Sequence, residues 1–287
     1  MLLHKPVLVK EILEWLPIKP GSVIVDGTLG MGGHTEVFLE KGASVYAFEW
    51  DEESLRIATE RLRGYGERIK VYPYNFTYIK EVLQKEGVYA DGVLLDLGLS
   101  SFLLEGSGRG FTFQKNEPLD MRMSQELTLT ARDLLNRLSE EELGNVFYKG
   151  EVPKARCFAK WLCKKRKIKP LNTTFDLVDR IREFYKPPKK KEKDLFALVF
   201  QAIRIEVNQE LKNLELALKN LPDILKPGGR IAVISFHSLE DRLVKRFFKK
   251  DERLALLTKK PVRPSQEEVR ENPRARSAKL RVAERRI

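Results

Sequence analysis

Between residues 22 and 98 the chain alternates short, nearly continuous apolar runs with amphipathic stretches, and this rhythm restricts the possible folds more than any other feature. The runs SVIVD, SVYAFEW, IKVYPYN and ADGVLLDLG have the length and β-branched or aromatic content of strands. Strands that are apolar throughout are covered on both faces, as in parallel sheets. Between them, TEVFLEKG, EESLRIATERLRG and YIKEVLQKEG carry helical spacing and glycine stops. Strand and helix in alternation predict an α/β fold of parallel strands joined by right-handed crossovers.

After Gly98 the rhythm stops. Residues 103–200 hold no convincing strand; a glycine- and charge-rich loop, EGSGRGFTFQKNEPLDMRM, precedes the helical segments TARDLLNRLSEEELGNVFY, ARCFAKWLCKKRK and TFDLVDRIREFY. The PPKKKEK stretch reads as a loop. One long helix, LVFQAIRIEVNQELKNLELALKNLPDIL, is expected to lead back to the sheet. There KPGGRIAVISFHS forms a buried strand and AKLRVAERRI a final edge strand. We expect an α/β domain of residues 1–102 and 201–287, interrupted by a helical domain of residues 103–200. The 287 residues suffice for both.

The turn after the first strand narrows the chemistry. In VIVDGTLGMGGHTEVFLEKGASVYAFEWDEESL, Gly27, Gly30, Gly32 and Gly33 lie between strand and helix. Glycines there turn the chain sharply and bring bare N–H groups to a ligand. Glu49 closes the second strand about 17 residues on, where an acid accepts hydrogen bonds from ribose hydroxyls. Asp26, at the end of the first strand, would repel a pyrophosphate but suits a ligand with an ammonium and a sulfonium. S-adenosylmethionine fits that description. The alternative for Asp26 is a solvated strand-end acid.

Charge points to a second partner. Lys and Arg number 53 against 41 Asp and Glu, a net charge of +12, and CKKRKIK, KPPKKKEK and NPRARSAKLRVAERR concentrate the excess. This suits a polyanion. Cys157 and Cys163 match no zinc spacing and His4, His34 and His237 are scattered, so no metal site is expected. With neither a signal-peptide pattern nor a membrane-length apolar run, the expected location is the cytoplasm.

Six motifs run through the chain in order: D-G-T-L-G-M-G-G-H-T, L-L-D-L-G-L-S-S, R-G-F, P-L-D-M-R-M, S-F-H-S-L-E-D-R-L-V-K-R-F-F and E-N-P-R-A-R-S-A-K-L-R. Together they resemble the MraW family of bacterial methyltransferases, which modify N4 of a cytosine in 16S ribosomal RNA. The resemblance implies a Rossmann-like class I methyltransferase sheet with an inserted helical substrate-recognition domain, and ribosomal RNA or the small subunit as partner. It also implies that Gly32, Gly33 and His34 bind the methionine end of the cofactor and Glu49 the ribose. Phe76 then packs on the adenine, and Asp96 lies beside the cofactor; Gly30 joins them through the turn. Leu103 stands where the family carries a glutamine, and Glu49 where it often has Asp. Read from residues alone, the alternative for Phe76 is a core aromatic and for His34 a solvent-facing helix start.

The N4 lone pair of cytosine is delocalised into the ring, so its methylation needs a proton acceptor or an orienting dipole. Asp96 is the first candidate, or else a cofactor contact only. His237 is the second, to take a proton or touch RNA; the alternative is a helix-cap cluster in which Ser238 pairs with Asp241. Arg109, Asp120 and Arg122 either close on the base and phosphate or order their own loop. The RNA is expected on Lys164, Lys165, Arg166 and Lys167 of the insertion and on Arg274, Arg276, Lys279 and Arg281 of the tail. Competing readings keep the cofactor with a protein or small-molecule acceptor, or make the chain a non-catalytic RNA-binding assembly factor.

Overall fold

The computed structural model describes residues 6–100 and 102–287, so His4 and Ser101 lie outside the described residues. It separates into two compact units, Met1–Ser100 with Leu211–Ile287, and Ser101–Glu210. The sheet unit holds seven strands: β1 (Val23–Asp26), β2 (Ser44–Phe48), β3 (Ile69–Tyr72), β4 (Ala90–Asp96), β5 (Leu225–Ser235), β6 (Leu254–Leu256) and β7 (Lys279–Arg285). Their order is β3-β2-β1-β4-β5-β7-β6. The first five are parallel, and β7 runs antiparallel to β5 and β6.

Both faces are covered, as the apolar runs require. Ile24, Val45, Leu94, Ala232, Ile234, Leu280 and Val282 enter one buried cluster. Their sequence neighbours Val25, Val93, Leu95, Ile231, Val233 and Ala283 enter the other. The strand order reverses between β1 and β4, with Asp26 registered against Leu94. Such a switch point leaves a crevice at the carboxyl ends of the strands.

The tail departs from expectation. β7 is interior, and the three-residue β6 takes the edge. A strand this short carries no readable period, so nothing in the sequence displaced β7 from the edge.

The second unit is helical, with Ala131–Arg137, Glu140–Lys149, Ala155–Arg166, Thr174–Tyr185 and Lys189–Val207. Ser139 splits the first expected helical segment in two: its hydroxyl accepts the Glu142 N–H while Glu142 reaches back to the Ser139 N–H, a reciprocal cap that starts a new helix. Phe147, Phe158, Trp161, Phe184 and Tyr185 pack ring against ring among these helices. The PPKKKEK stretch is not a loop. Helix begins at Lys189 behind Pro188, because Lys and Glu are good helix formers and proline suits a helix start.

The long helix expected from Leu198 is broken. Asn208 ends the first part, and Gln209 takes φ +50° before the next helix starts at Glu210. The Asn208 side chain accepts the Met123 N–H (2.7 Å) and donates to the Met121 carbonyl (2.8 Å), so it is recruited to hold the charged loop. The unit boundary falls at this break, 210/211 and not 200/201; at the other end it falls at 100/101 and not 102/103.

Candidate cofactor site

The glycine turn after β1 is built around Asp26. Its Oδ1 accepts the Thr28 N–H (3.1 Å) and its Oδ2 the Thr35 hydroxyl (2.7 Å), and the residue is 1% exposed. Asp26 is therefore neither a solvated strand-end acid nor presented outward; it shapes the turn. Thr28 reaches the other way, accepting the Asp96 N–H (2.6 Å) and tying β1 to the end of β4. Gly30 and Gly32 take φ +53° and +84°, and a Cβ on Gly32 would lie 3.0 Å from Leu62. Side chains are disfavoured there on both counts.

Glu49, just past β2, faces this turn. Its Oε2 accepts the Gly30 N–H (2.8 Å), and its Oε1 accepts the N–H groups of Trp50 and Asp51 (both 2.9 Å). Both acceptor sites of Oε1 are thereby used, and Oε2 keeps one lone pair for a further donor. Burial pushes the carboxyl up to about 7, against the Asp51 and Gly30 bonds that lower it. Phe76 opens a short 3-10 turn after β3, half-buried against the core; its Cβ is 3.2 Å from where a Cβ of Gly27 would stand.

At the end of β4, Asp96 has one oxygen engaged and one not. Oδ2 lies 3.6 Å from His34 Nδ1, whereas Oδ1 is buried with no hydrogen-bond partner among the described residues. Burial raises its carboxyl to about 6; His34 pulls it down, and Asp26 pushes it further up. The side chain retains 19% exposure, so water relieves part of that push. Burial also raises the Asp26 carboxyl.

His34 is buried, not solvent-facing. Its Nε2 is 2.8 Å from the Val7 carbonyl, an acceptor only, so Nε2 carries a proton and the ring is fixed. That carbonyl is itself held in a strained loop: Leu8 is buried at φ +58°, and its N–H donates to Glu268 Oε1 (2.7 Å). Left-handed backbone costs a non-glycine residue roughly 1–2 kcal/mol. The strain sits behind the site, as it often does in functional regions.

Sequence reasoning misplaced several groups. His237 is the N-cap of helix Ser238–Lys250, and its partner is Glu240, not the expected Ser238–Asp241 pair. Glu240 Oε2 accepts the Phe236 and His237 N–H groups (2.8 and 3.4 Å), and Nδ1 of His237 accepts the Glu240 N–H (3.4 Å). Nε2 is 3.0 Å from Glu240 Oε1 but misaligned for a hydrogen bond, so both ring nitrogens face Glu240. Asp241 instead binds Arg281 (2.6 Å), whose side chain is 4% exposed, so Arg281 is a sheet residue and not an RNA contact.

In the helical unit, Arg122 grips Asp120 with two bonds (2.8 and 2.9 Å), and Arg109 Nη1 donates to the Arg122 and Met123 carbonyls (3.3 and 3.1 Å). Burial raises the Asp120 carboxyl, but the Arg122 bonds outweigh it and leave it lowered. These groups order their loop. Thr28, Thr35 and the Val7 carbonyl were missed; both threonines lay within the glycine motif, where only the glycines, Asp26 and His34 were weighed.

The arrangement fits S-adenosylmethionine on its own chemistry. Asp26 and Asp96 share His34 as a countercharge, which leaves the buried acids short of positive charge and favours a cation; Asp96 Oδ1 has no hydrogen-bond partner among the described residues, and a Cβ on Gly30 would meet nothing closer than 4.0 Å. With the strand order and the acid after β2, this defines a class I S-adenosylmethionine-dependent methyltransferase. The whole chain confirms the class: residues 1–286 match the profile of the MraW methylase family. Three relatives carry the name ribosomal RNA small subunit methyltransferase H. That of Thermotoga neapolitana is 45% identical, covering 98% of this chain and 95% of its own. That of Carboxydothermus hydrogenoformans is 45% identical, covering 98% and 97%, and that of Desulfotalea psychrophila 44%, covering 98% of each. The chain belongs to the MraW methylase family. Among the described residues, no helix is long and apolar enough to cross a membrane.

Proposed function

We propose that the protein transfers a methyl group from S-adenosylmethionine to N4 of a cytosine in 16S ribosomal RNA. One observation carries the reading: the desolvated acids at the strand ends belong to a chain about 45% identical, over nearly its full length, to proteins named as small-subunit ribosomal RNA methyltransferases. Gly30, Gly32, Gly33 and His34 would hold the methionine end, Glu49 the ribose hydroxyls and Phe76 the adenine face. Bound there, the cofactor supplies an electrophilic methyl on a sulfonium.

The chain's own part is to orient the acceptor. Asp96, whose side chain is partly exposed at the end of the strand, accepts a hydrogen bond from the N4 amino group, drawing the lone pair out of conjugation. With its carboxyl at about 6, Asp96 is a better proton acceptor than an ordinary carboxylate at neutral pH. As the new N–C bond forms, N4 loses one proton to Asp96. His34, fixed by Val7, stands beside the carboxylate, its Nδ1 3.6 Å from Oδ2. The cytosine must be unpaired, because pairing occupies N4. His237 serves as a helix cap in this scheme.

Incubation with labelled S-adenosylmethionine and small subunits lacking the modification, followed by nucleoside mass spectrometry, should yield N4-methylcytidine. Label in protein or small molecules would replace the proposed acceptor, and no label anywhere would leave a binding protein.

A further inference from the structure

Resting on that reading of an RNA substrate, we infer that the outer face of helix Ala155–Arg166 is a rail for the RNA backbone, formed by Arg156, Lys160, Lys164 and Lys167. The structure changes which cations are available. Of the cluster suggested by sequence, Arg166 donates to the Leu135 and Leu138 carbonyls (2.6 and 2.5 Å) and so closes the end of a neighbouring helix. Lys165 pairs with Glu183 and stands over the Trp161 ring. Both are spent inside their unit.

Arg156, Lys160, Lys164 and Lys167 are exposed, and none has an ion-pair or hydrogen-bond partner among the described residues. At 3.6 residues per turn they fall within an arc of about 80° and extend along about 16 Å of helix axis. Successive members are about 4.5–6 Å apart along that axis, comparable to the step between phosphates of an extended strand. Ile168, 83% exposed, ends the row and offers an apolar surface beside it.

Local stability does not account for the pattern. Cations in the last turn offset the helix dipole, which explains Lys164 and the residues after it. Arg156 sits in the first turn, where the dipole disfavours a cation, and no acid stands there to offset it. From Val152 to Phe175 there is no Asp or Glu at all. A merely solvated face gains by mixing signs, as the Arg56–Glu53 and Lys219–Glu215 pairs do elsewhere. A face of one sign is complementary to a polyanion.

The test is a salt series of binding to single-stranded oligocytidylate. Arg156→Gln, Lys160→Gln, Lys164→Gln and Lys167→Gln are combined in one variant, since glutamine keeps the helix. A control removes the same charge from cations already paired with carboxylates, as Arg56→Gln, Lys70→Gln, Lys165→Gln and Lys219→Gln. The slope of log affinity against log salt should fall by about 2–3 in the rail variant, at about 0.7 for each phosphate no longer neutralised. The slope of the control should fall by less than about one unit, and S-adenosylmethionine affinity should be unchanged in both. Equal reductions would mean that net charge alone attracts RNA, and an unchanged rail slope would make this a solvated face; either overturns the rail. Failure of the unaltered protein to methylate ribosomal RNA would instead defeat the proposed function, while the salt series would still decide whether the rail binds a polyanion.

Discussion

The two units treat charge in opposite ways. In the sheet unit the informative charges are buried acids, with Asp26, Glu49 and Asp96 all raised by desolvation. In the helical unit they are exposed cations on one helix face. Burying a carboxylate without a cation is costly, and so is aligning like charges on a helix. In the proposed reading each unit carries the cost that its ligand relieves: a small cation for the first, a polyanion for the second.

The comparison breaks most decisively at Asp96. Asp96→Asn keeps the shape and removes the proton acceptor, so turnover should fall by about 10²–10⁴-fold with a much smaller change in cofactor affinity. Single-turnover rates with calorimetry on the same variant check this. Equal reductions in both would make Asp96 a cofactor ligand only.

Glu49 comes next. Glu49→Ala should weaken S-adenosylmethionine by about 1.5–3 kcal/mol, the range for hydrogen bonds to a charged group, and also frees the Gly30 N–H. Unchanged affinity in the folded variant would remove Glu49 from the pocket.

A gentler change sharpens the electrostatic half. Because the folded Glu49 carboxyl lies at about 7, above its ordinary 4.5, its stabilising contribution is complete below pH 4.5 and is lost as pH rises through 7. Cofactor-free Glu49→Gln should therefore gain on the unaltered protein between about pH 5 and 8, by no more than about 3 kcal/mol. Denaturant midpoints across that window show it; a difference that stays flat would mean that Glu49 is not desolvated.

The smallest effect belongs to Glu268. Glu268→Ala leaves the Leu8 N–H without its acceptor and should cost about 1 kcal/mol of stability, with a few-fold loss of turnover as the Val7 carbonyl loosens behind His34. Glu268→Gln, which keeps the acceptor oxygen, should restore both. Thermal melts and initial rates would show whether it does.

What the sequence made legible follows from range. The parallel strands, the turn after the first of them and the acids at strand ends were readable because apolar runs and a glycine turn are local signals. The roles of Thr28 and Thr35 were not, although both lie in the motif, since a hydroxyl's partner is set by where two strands come to rest. The strain at Leu8 was invisible for the same reason: its partner Glu268 is 260 residues away. The break at Gln209 hid within good helix formers, because Asn208 is drawn to a loop far back in the chain. Among the lysines and arginines, sequence could count charges but not say which were spent: Arg166 and Arg281 looked like RNA contacts and hold the fold together.

The central claim, that the pocket's acids are set for a cationic cofactor, is tested most directly by comparing S-adenosylmethionine with S-adenosylhomocysteine, which lacks the sulfonium charge. Calorimetric affinities of both between about pH 5 and 8 should show the preference for S-adenosylmethionine growing as Asp96 and Glu49 ionise, through about 6 and about 7. A ratio that is constant across the window, or that shifts toward S-adenosylhomocysteine as pH rises, would contradict the account.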